Sequence, residues 1–282
     1  IMDGIAASSD KRNEEALRRL SGIADLFLMH DRDIHTRYDD SVWFVAGGES
    51  QPVRRARGYA PFPLHLPVQT RAILACGPYL KNTLCLTRGE HAFLSQHIGD
   101  MENLETETFW EQVRAHYSEM FQIAPQIIAT DMHPDYATTR LGRGLRGRQV
   151  AVQHHHAHLA ACLADNGVAA PAIGVILDGT GYGLDGRIWG GEFLVGDGRG
   201  FVRAVHLQYL PLPGGEAAIH RPSRIAWAYL RTLLPERADE IALDLSSEER
   251  ETLDGMVARH VATPWTCSAG RLFDAVSALL GV

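Results

Sequence analysis

The sequence predicts an α/β fold, and three observations carry that prediction. Short apolar runs bounded by turn residues alternate with amphipathic stretches of helical period along most of the chain. A cluster of such runs near residue 70 reads as a β-meander. Two strand-like runs, "AILACG" and "AIGVILDG", each lead into a glycine-rich turn rather than fade out.

The elements follow in order. "NEEALRRLSGIA" (13–24) spaces Ala16, Leu17, Leu20 and Ile23 as one helix face and carries a late glycine. "DLFLMH" (25–30) and "DSVWFVAGG" (40–48) read as strands. "GYAPFPLHLPVQT" (58–70) holds three prolines and reads as an irregular linker. "AILACG", "NTLCLTRG" and "HAFLSQHIG" are the three runs of the meander, "ETETFWEQVRAHYSEMFQI" (105–123) is an amphipathic helix, and "QIIATD" and "VAVQ" are buried strands. A histidine-rich helix is expected over 155–166, then "AIGVILDG" as a strand stopping at a glycine turn with "IWGGEFLVGD" as its hairpin partner. "LPLPGGEAAIHRP" is a loop, and helices are expected near 222–234, 247–261 and 270–281. No internal repeat or low-complexity segment occurs.

Composition narrows the function. The 282 residues carry a net charge of −7, with 45% hydrophobic residues. That balance argues against a dedicated nucleic-acid binder; "RRARG" (54–58) and "RLGRGLRGR" (140–148) are the only basic runs, and solvated loops account for both. Cys76, Cys85, Cys162 and Cys267 form no CxxC pair and no disulfide framework, so a reducing compartment is expected. No apolar run reaches membrane-spanning length and the first residues lack a secretory apolar core, which together predict a cytoplasmic protein. Both ends look cut, so the chain reads as a fragment.

The candidate chemistry concentrates in "VQHHHAHLAACLADNG" (152–167). His154 and His158 are four apart, a spacing that puts two imidazoles on one helix face, as two ligands of one metal ion require. His155 is placed to join or support that face, His156 points elsewhere, and Cys162, one turn beyond His158 and in principle a third ligand, is expected to pack inward. Asp178, at the end of "AIGVILD", is the best further ligand; a turn residue in "DGTG" is the plainer alternative. Gly179, Thr180, Gly181 and Gly183 read either as a phosphate cradle or as a tight hairpin. "ACGPYLKNT" offers Lys81, Asn82 and Thr83 to a phosphate or carbonyl. Paired strand–glycine–strand elements suggest an actin-like ATPase arrangement, in which "SAGRLFDAVSALLG", with Gly270 and Asp274, starts a helix beside the nucleotide. His133, Asp135 and Arg140 in "TDMHPDYATTR" sit at a crevice-type position or in a proline-fixed turn.

These segments together carry a resemblance. "LACGPYLKNTLCLTRGEHAFLSQHIGDMENLET", "TDMHPDYATTR", "VQHHHAHLAACLADNG", "LDGTGYGLDGRIWGGEFL", "LPLPGGEAAIHRP" and "GRLFDAVSALLG" resemble, in order, the HypF carbamoyltransferases that mature [NiFe] hydrogenases. "SGIADLFLMHDRDIHTRYDDSVWFV" and "RRARGYAP" look like the end of that family's YrdC-like domain. The resemblance implies the C-terminal part of a YrdC-like domain over 1–62, a linker over 63–70, and a Kae/TsaD-like domain of the actin-like (ASKHA) class, incomplete at its C-terminus, over 71–282. It implies carbamoyl-adenylate formation from carbamoyl phosphate and ATP, then carbamoyl transfer to the C-terminal cysteine of HypE. It implies a divalent metal, Fe or Zn, on His154, His158 and Asp178, with a further family aspartate beyond Val282. Arg32, Arg37 and Asp39 match the adenylate side of the YrdC-like remnant or simple surface ion pairs. The rival readings are an O-carbamoyltransferase of natural-product biosynthesis, a tRNA threonylcarbamoyl transferase of the TsaD type, and a non-catalytic metal- or nucleotide-binding fragment. The isolated fragment is expected to be inactive.

Overall fold

The computed structural model describes residues 12–29 and 36–282, and it separates into two compact units, one ending at Ala151 and the other starting at Val152. Each is built around its own core.

The first unit begins with helix α1 (Arg12–Leu20) and a hairpin of β1 (Val42–Ala46) and β2 (Glu49–Arg54). Gly47 and Gly48 close the hairpin with φ of 62° and 86°, the left-handed pair that a two-residue turn between right-twisted strands demands. Asp25–Met29 forms no strand, contrary to the sequence expectation; Leu26 and Leu28 stand in solvent. A strand exists only through paired backbone, and no described strand runs beside this segment. His30 lies outside the described residues.

A four-stranded sheet follows, in the order β4-β3-β5-β6. Its β3 (Leu64–Ala75) pairs antiparallel with β4 (Cys85–Leu94) and parallel with β5 (Ile127–Asp131); β6 is Arg148–Val152. Two expectations fail here. The proline-rich run is strand from Leu64 onward, and Pro67 is absorbed where the register slips between His65 and Thr70, because its missing N–H has no ladder bond to make there. The expected three-run meander is two strands, since "CLTRG" and "HAFL" are one. Gly89, at φ 64°, forms an irregularity opposite Thr70 instead of a turn.

Helix α2 (Leu104–Met120), capped by the Asn103 side chain, buries Phe109, Trp110, Val113 and Tyr117 against this sheet. The short α3 (Ala137–Arg143) follows β5, and Gly142 lets it lie close, because a Cβ there would meet Thr130 Cγ2 at 2.5 Å.

The second unit starts with α4 (His154–Asp165), followed by a hairpin of β7 (Ala172–Tyr182) and β8 (Ile188–Gly196). Next come β9 (Phe201–His206), β10 (Leu210–Pro211), α5 (Glu216–Ile219), α6 (Ser223–Leu233), α7 (Ser247–Arg259), β11 (Trp265–Thr266) and α8 (Ala269–Leu280). The sheet runs β10-β11-β8-β7, with β9 also pairing β8. Strand β7 does not stop at Asp178 as expected; it continues through "DGTGY", with its register shifted between Leu177 and Gly181. On one face Leu159 and Leu163 of α4 bury Ile176 and Leu194. Elsewhere Ile225, Ala226, Ala228 and Tyr229 of α6 pack with Leu210, Leu212 and Ala275, and Trp227 and Leu230 with Leu253 of α7. Among the described residues no helix is long and apolar enough to cross a membrane.

Candidate metal centre

Helix α4 begins on an unusual cap. Gln153 has extended backbone, and its Oε1 accepts from the His156 N–H at 2.9 Å. From that start His154 and His158 fall one turn apart with ring centroids 5.0 Å from each other. The irregularity in β7 brings Asp178 beneath them. Asp178 Oδ2 lies 3.2 Å from His154 Nε2, 3.3 Å from His155 Nε2 and 3.9 Å from His158 Nε2. One ligand atom each from His154, His158 and Asp178 falls within 4.8 Å of the other two, close enough for one ion.

The carboxylate fits such an ion. Asp178 Oδ1 accepts the Gly179 N–H at 2.6 Å, whereas the buried Oδ2 has no well-aligned hydrogen-bond partner. Burial opposes ionisation of Asp178, but the close imidazoles of His154 and His155 and the Gly179 N–H outweigh it and hold the carboxyl well below the usual carboxylate range. An ionised oxygen aimed at two imidazole nitrogens is the donor set that zinc or iron takes.

The other two histidines divide as the spacing suggested. His155 is fully buried, stacked on Trp189 with centroids 6.2 Å apart. His156 turns away, with Nε2 2.7 Å from Asp197 O and its ring on Phe201. Cys162, expected to pack inward, is exposed, because the buried stripe of α4 is His155, Leu159 and Leu163.

The glycines serve packing more than expected. A Cβ on Gly181 would stand 2.3 Å from His155 Cε1, and one on Gly183 2.2 Å from Trp189 Nε1. Gly179 backs onto Gly270, where a Cβ would meet Gly179 Cα at 2.8 Å. Ser268 joins the two segments. It caps α8 by accepting the Arg271 N–H, and its hydroxyl lies 2.8 Å from the carbonyls of both Asp178 and Gly179. Thr180 is exposed beside them, and Asp274 pairs with Arg271 at 2.7 Å one turn along α8.

In the first unit, Lys81 is exposed at φ 51° and its N–H bonds Asp100 Oδ1. Asn82 is fully buried and spends its amide hydrogens on the carbonyls of Cys76 and Pro78, while Thr83 is half-buried. His133 stacks on Tyr136 at 4.0 Å, the Asp135 N–H donates to His133 Nδ1, and Arg140 pairs with Glu107. Arg37 lies over the Phe109 ring, and Asp39 accepts the Arg57 N–H through its carbonyl. Arg32 lies outside the described residues.

Sequence reasoning missed a buried polar network behind Trp189. Fully buried Glu192 accepts from Arg203 Nε at 2.6 Å and from the Cys267 thiol at 3.0 Å. Arg203 also donates to the Tyr209 hydroxyl and lies 3.8 Å from the Trp189 ring centre. Tyr209 and the Trp189 indole N–H both donate to Asp185. Asp185, Trp189 and Glu192 lie in one quoted segment, but Arg203, Tyr209 and Cys267 lie outside every such segment, and the folded sheet brings them together.

Two strand-and-helix units, one carrying a two-histidine, one-aspartate cluster at the start of a helix, define the class of the protein as an α/β protein with a candidate metal centre. The family description "HypF Kae1-like domain" matches residues 68–165, and "Carbamoyltransferase, Kae1-like Domain, second subdomain" matches residues 174–282. The Carbamoyltransferase HypF2 of Cupriavidus necator is 46% identical, aligned over 95% of this chain and 34% of its own length. The Carbamoyltransferase HypF of Rhizobium leguminosarum bv. viciae is 44% identical, over 96% and 35% respectively. A crystal structure of full-length HypF in the phosphate- and nucleotide-bound form superposes with a TM-score of 0.90 at 42% identity, covering 95% of this chain and 43% of that one. The T. kodakarensis HypF structure gives 0.87 at 32% identity, covering 98% and 38%. The chain belongs to the HypF carbamoyltransferase family. It spans about a third of the length of the curated relatives it matches.

Proposed function

We propose that this chain contains the carbamoyl-transfer site of a [NiFe]-hydrogenase maturation enzyme, with ATP and carbamoyl phosphate as sources of a carbamoyl-adenylate and the C-terminal cysteine of HypE as acceptor. The observation that carries it is the cluster of His154, His158 and Asp178, whose buried Oδ2 has no aligned partner. These three residues would hold Fe or Zn. Such an ion supplies a Lewis acid for the carbamoyl oxygen.

The chain's own groups divide the remaining work. The Gly179 N–H is committed to Asp178, so exposed Thr180 is left to meet a phosphate at this turn. Gly270 and Ser268 fix that turn against α8, and Asp274 one turn along the helix is the nucleotide contact proposed there. Within the first unit, Asn82 shapes the turn of Lys81 and Thr83 from inside, and those two residues are proposed to meet a phosphate or carbonyl oxygen. No nucleophile is needed from this chain. Burial pushes the thiols of Cys76, Cys85 and Cys267 up to about 12, so they remain protonated at neutral pH, and the thiolate comes from the acceptor.

The domain reading is part of the proposal: a YrdC-like remnant over 1–62, a linker shortened by the start of β3 at Leu64, and a Kae/TsaD-like domain to residue 282, in a cytoplasmic protein. The test is metal content by mass spectrometry on wild type and on His154→Ala/His158→Ala purified without chelator, alongside carbamoyl transfer from carbamoyl-adenylate to a HypE C-terminal peptide in a full-family-length chain. Near one equivalent of Fe or Zn, lost with transfer in the double variant, is expected. Transfer that survives loss of both histidines overturns the assignment.

A further inference from the structure

Gln153 fixes the chemistry of His155. Its Oε1 takes the cap bond from the His156 N–H, which assigns the two ends of the amide. The Nε2 end is therefore the donor, and it lies 3.2 Å from Tyr182 O and 3.2 Å from His155 Nδ1. A ring nitrogen that receives an N–H bears no hydrogen, so neutral His155 carries its proton on Nε2. That nitrogen faces Asp178 Oδ2 at 3.3 Å, and both atoms are buried. The approach is off-line as it stands, and the terminal torsion of an aspartate, being broad, leaves the carboxylate room to adjust.

We infer that His155 is a positioning residue of the metal centre and not one of its ligands: its Nε2–H holds the Asp178 carboxylate while His154 and His158 present their lone pairs. A nitrogen carrying a hydrogen has no lone pair to give to an ion, so His155 Nε2 is no ligand although it lies as close to the Asp178 oxygen as His154 Nε2 does. The ring is held from every side. Gln153 bonds one nitrogen, Trp189 stacks on one face, and Gly181 admits the ring where any Cβ would collide. Trp189 is in turn pinned by Asp185 and overlaid by Arg203. Partners of this kind orient a ligand carboxylate and set how tightly a metal is held.

The inference rests on the metal reading of His154, His158 and Asp178, and the experiment separates the two. The tautomer is read on the wild-type, metal-free chain by long-range 1H–15N correlation of 15N-histidine, with His155 assigned by its absence from His155→Gln. An Nε2–H tautomer is expected, and Nδ1–H overturns the inference. Zn2+ and Co2+ affinities are then compared for wild type, His155→Phe and His155→Gln. Phenylalanine keeps the ring and loses the donor, whereas glutamine places an amide N–H near the Nε2 position. Binding weakened on the order of 10–100-fold in His155→Phe and largely restored in His155→Gln is the expected pattern. Wild-type affinity in His155→Phe, or His155→Gln falling as far as His155→Phe, assigns the residue to packing and overturns it. A wild-type chain that takes up neither ion sinks the metal reading, and the tautomer alone then decides whether His155 serves Asp178. That readout stands even if His155→Phe fails to fold.

Discussion

Gly181 stands directly against the imidazole of His155, so close that a Cβ on it would lie 2.3 Å from Cε1 and 2.7 Å from Nε2. The glycine lies in β7, within the paired strand rather than in a turn, and its lack of a side chain is what lets α4 settle over the sheet with a histidine facing inward. The alternating glycines of "DGTGYG" are thus explained first by ring clearance, His155 over Gly181 and Trp189 over Gly183.

Gly181→Ala is expected to destabilise the second unit by about 1–3 kcal/mol, the usual cost of forcing an extra carbon into a packed site. Metal affinity should fall with it, because the displaced ring is the one beside Asp178. Gly198→Ala, with open space around the added carbon, is the control and should melt like wild type. Thermal melts and Zn2+ titration of the two variants check this; a Gly181→Ala chain with wild-type melting and affinity would refute the clearance argument.

The sequence made the proximity of His154, His158 and Asp178 legible because its signal is local. Two histidines four apart on a helix need only the helix to meet, and "AIGVILD" supplied the strand that delivers Asp178. The glycine loop was ambiguous because phosphate cradles and close packing both call for residues without Cβ, and only three-dimensional neighbours separate the two. Within 58–70, residues 64–70 were misread because prolines signal irregularity by default, whereas one at a register slip costs the sheet no ladder bond. Glu192, Arg203, Tyr209 and Cys267 were not legible at all, since each is an ordinary strand or loop residue until β8, β9 and β11 assemble around it.

Ser268 couples α8 to the site. Its hydroxyl caps the helix and reaches the carbonyls of Asp178 and Gly179. Ser268→Ala removes the cap and leaves two carbonyls without that donor, so a loss of about 1–2 kcal/mol is expected. Because those carbonyls belong to the irregular stretch of β7 that carries Asp178, Zn2+ affinity should drop as well. A helix-cap loss elsewhere makes the comparison: Ser246→Ala, at the capping box of α7, should cost similar stability and leave Zn2+ affinity unchanged. Equal effects of the two variants on the metal would show that Ser268 is only a cap.

Glu192 gives a pH dependence whose sign can be worked out. Burial opposes its ionisation, but the bonds from Arg203 and Cys267 and from the Gly190 N–H outweigh it, so its folded carboxyl titrates below the ordinary glutamate value. Between the folded value and the unfolded one, roughly 4.3, the unfolded chain binds more protons than the folded chain. Stability from this group is therefore fully present above about pH 4.3 and is lost as pH falls through the folded value. Glu192→Gln should keep the shape of the site, weaken the pairing with Arg203, and flatten the acid limb of the stability curve. Glu192→Ala should be worse at neutral pH, by about 3–5 kcal/mol, because it leaves the Arg203 guanidinium without its buried counter-charge. Denaturant melts of wild type and Glu192→Gln from pH 3 to pH 7 decide it: parallel acid limbs in the two proteins would mean that the Glu192–Arg203 pair contributes nothing to acid stability.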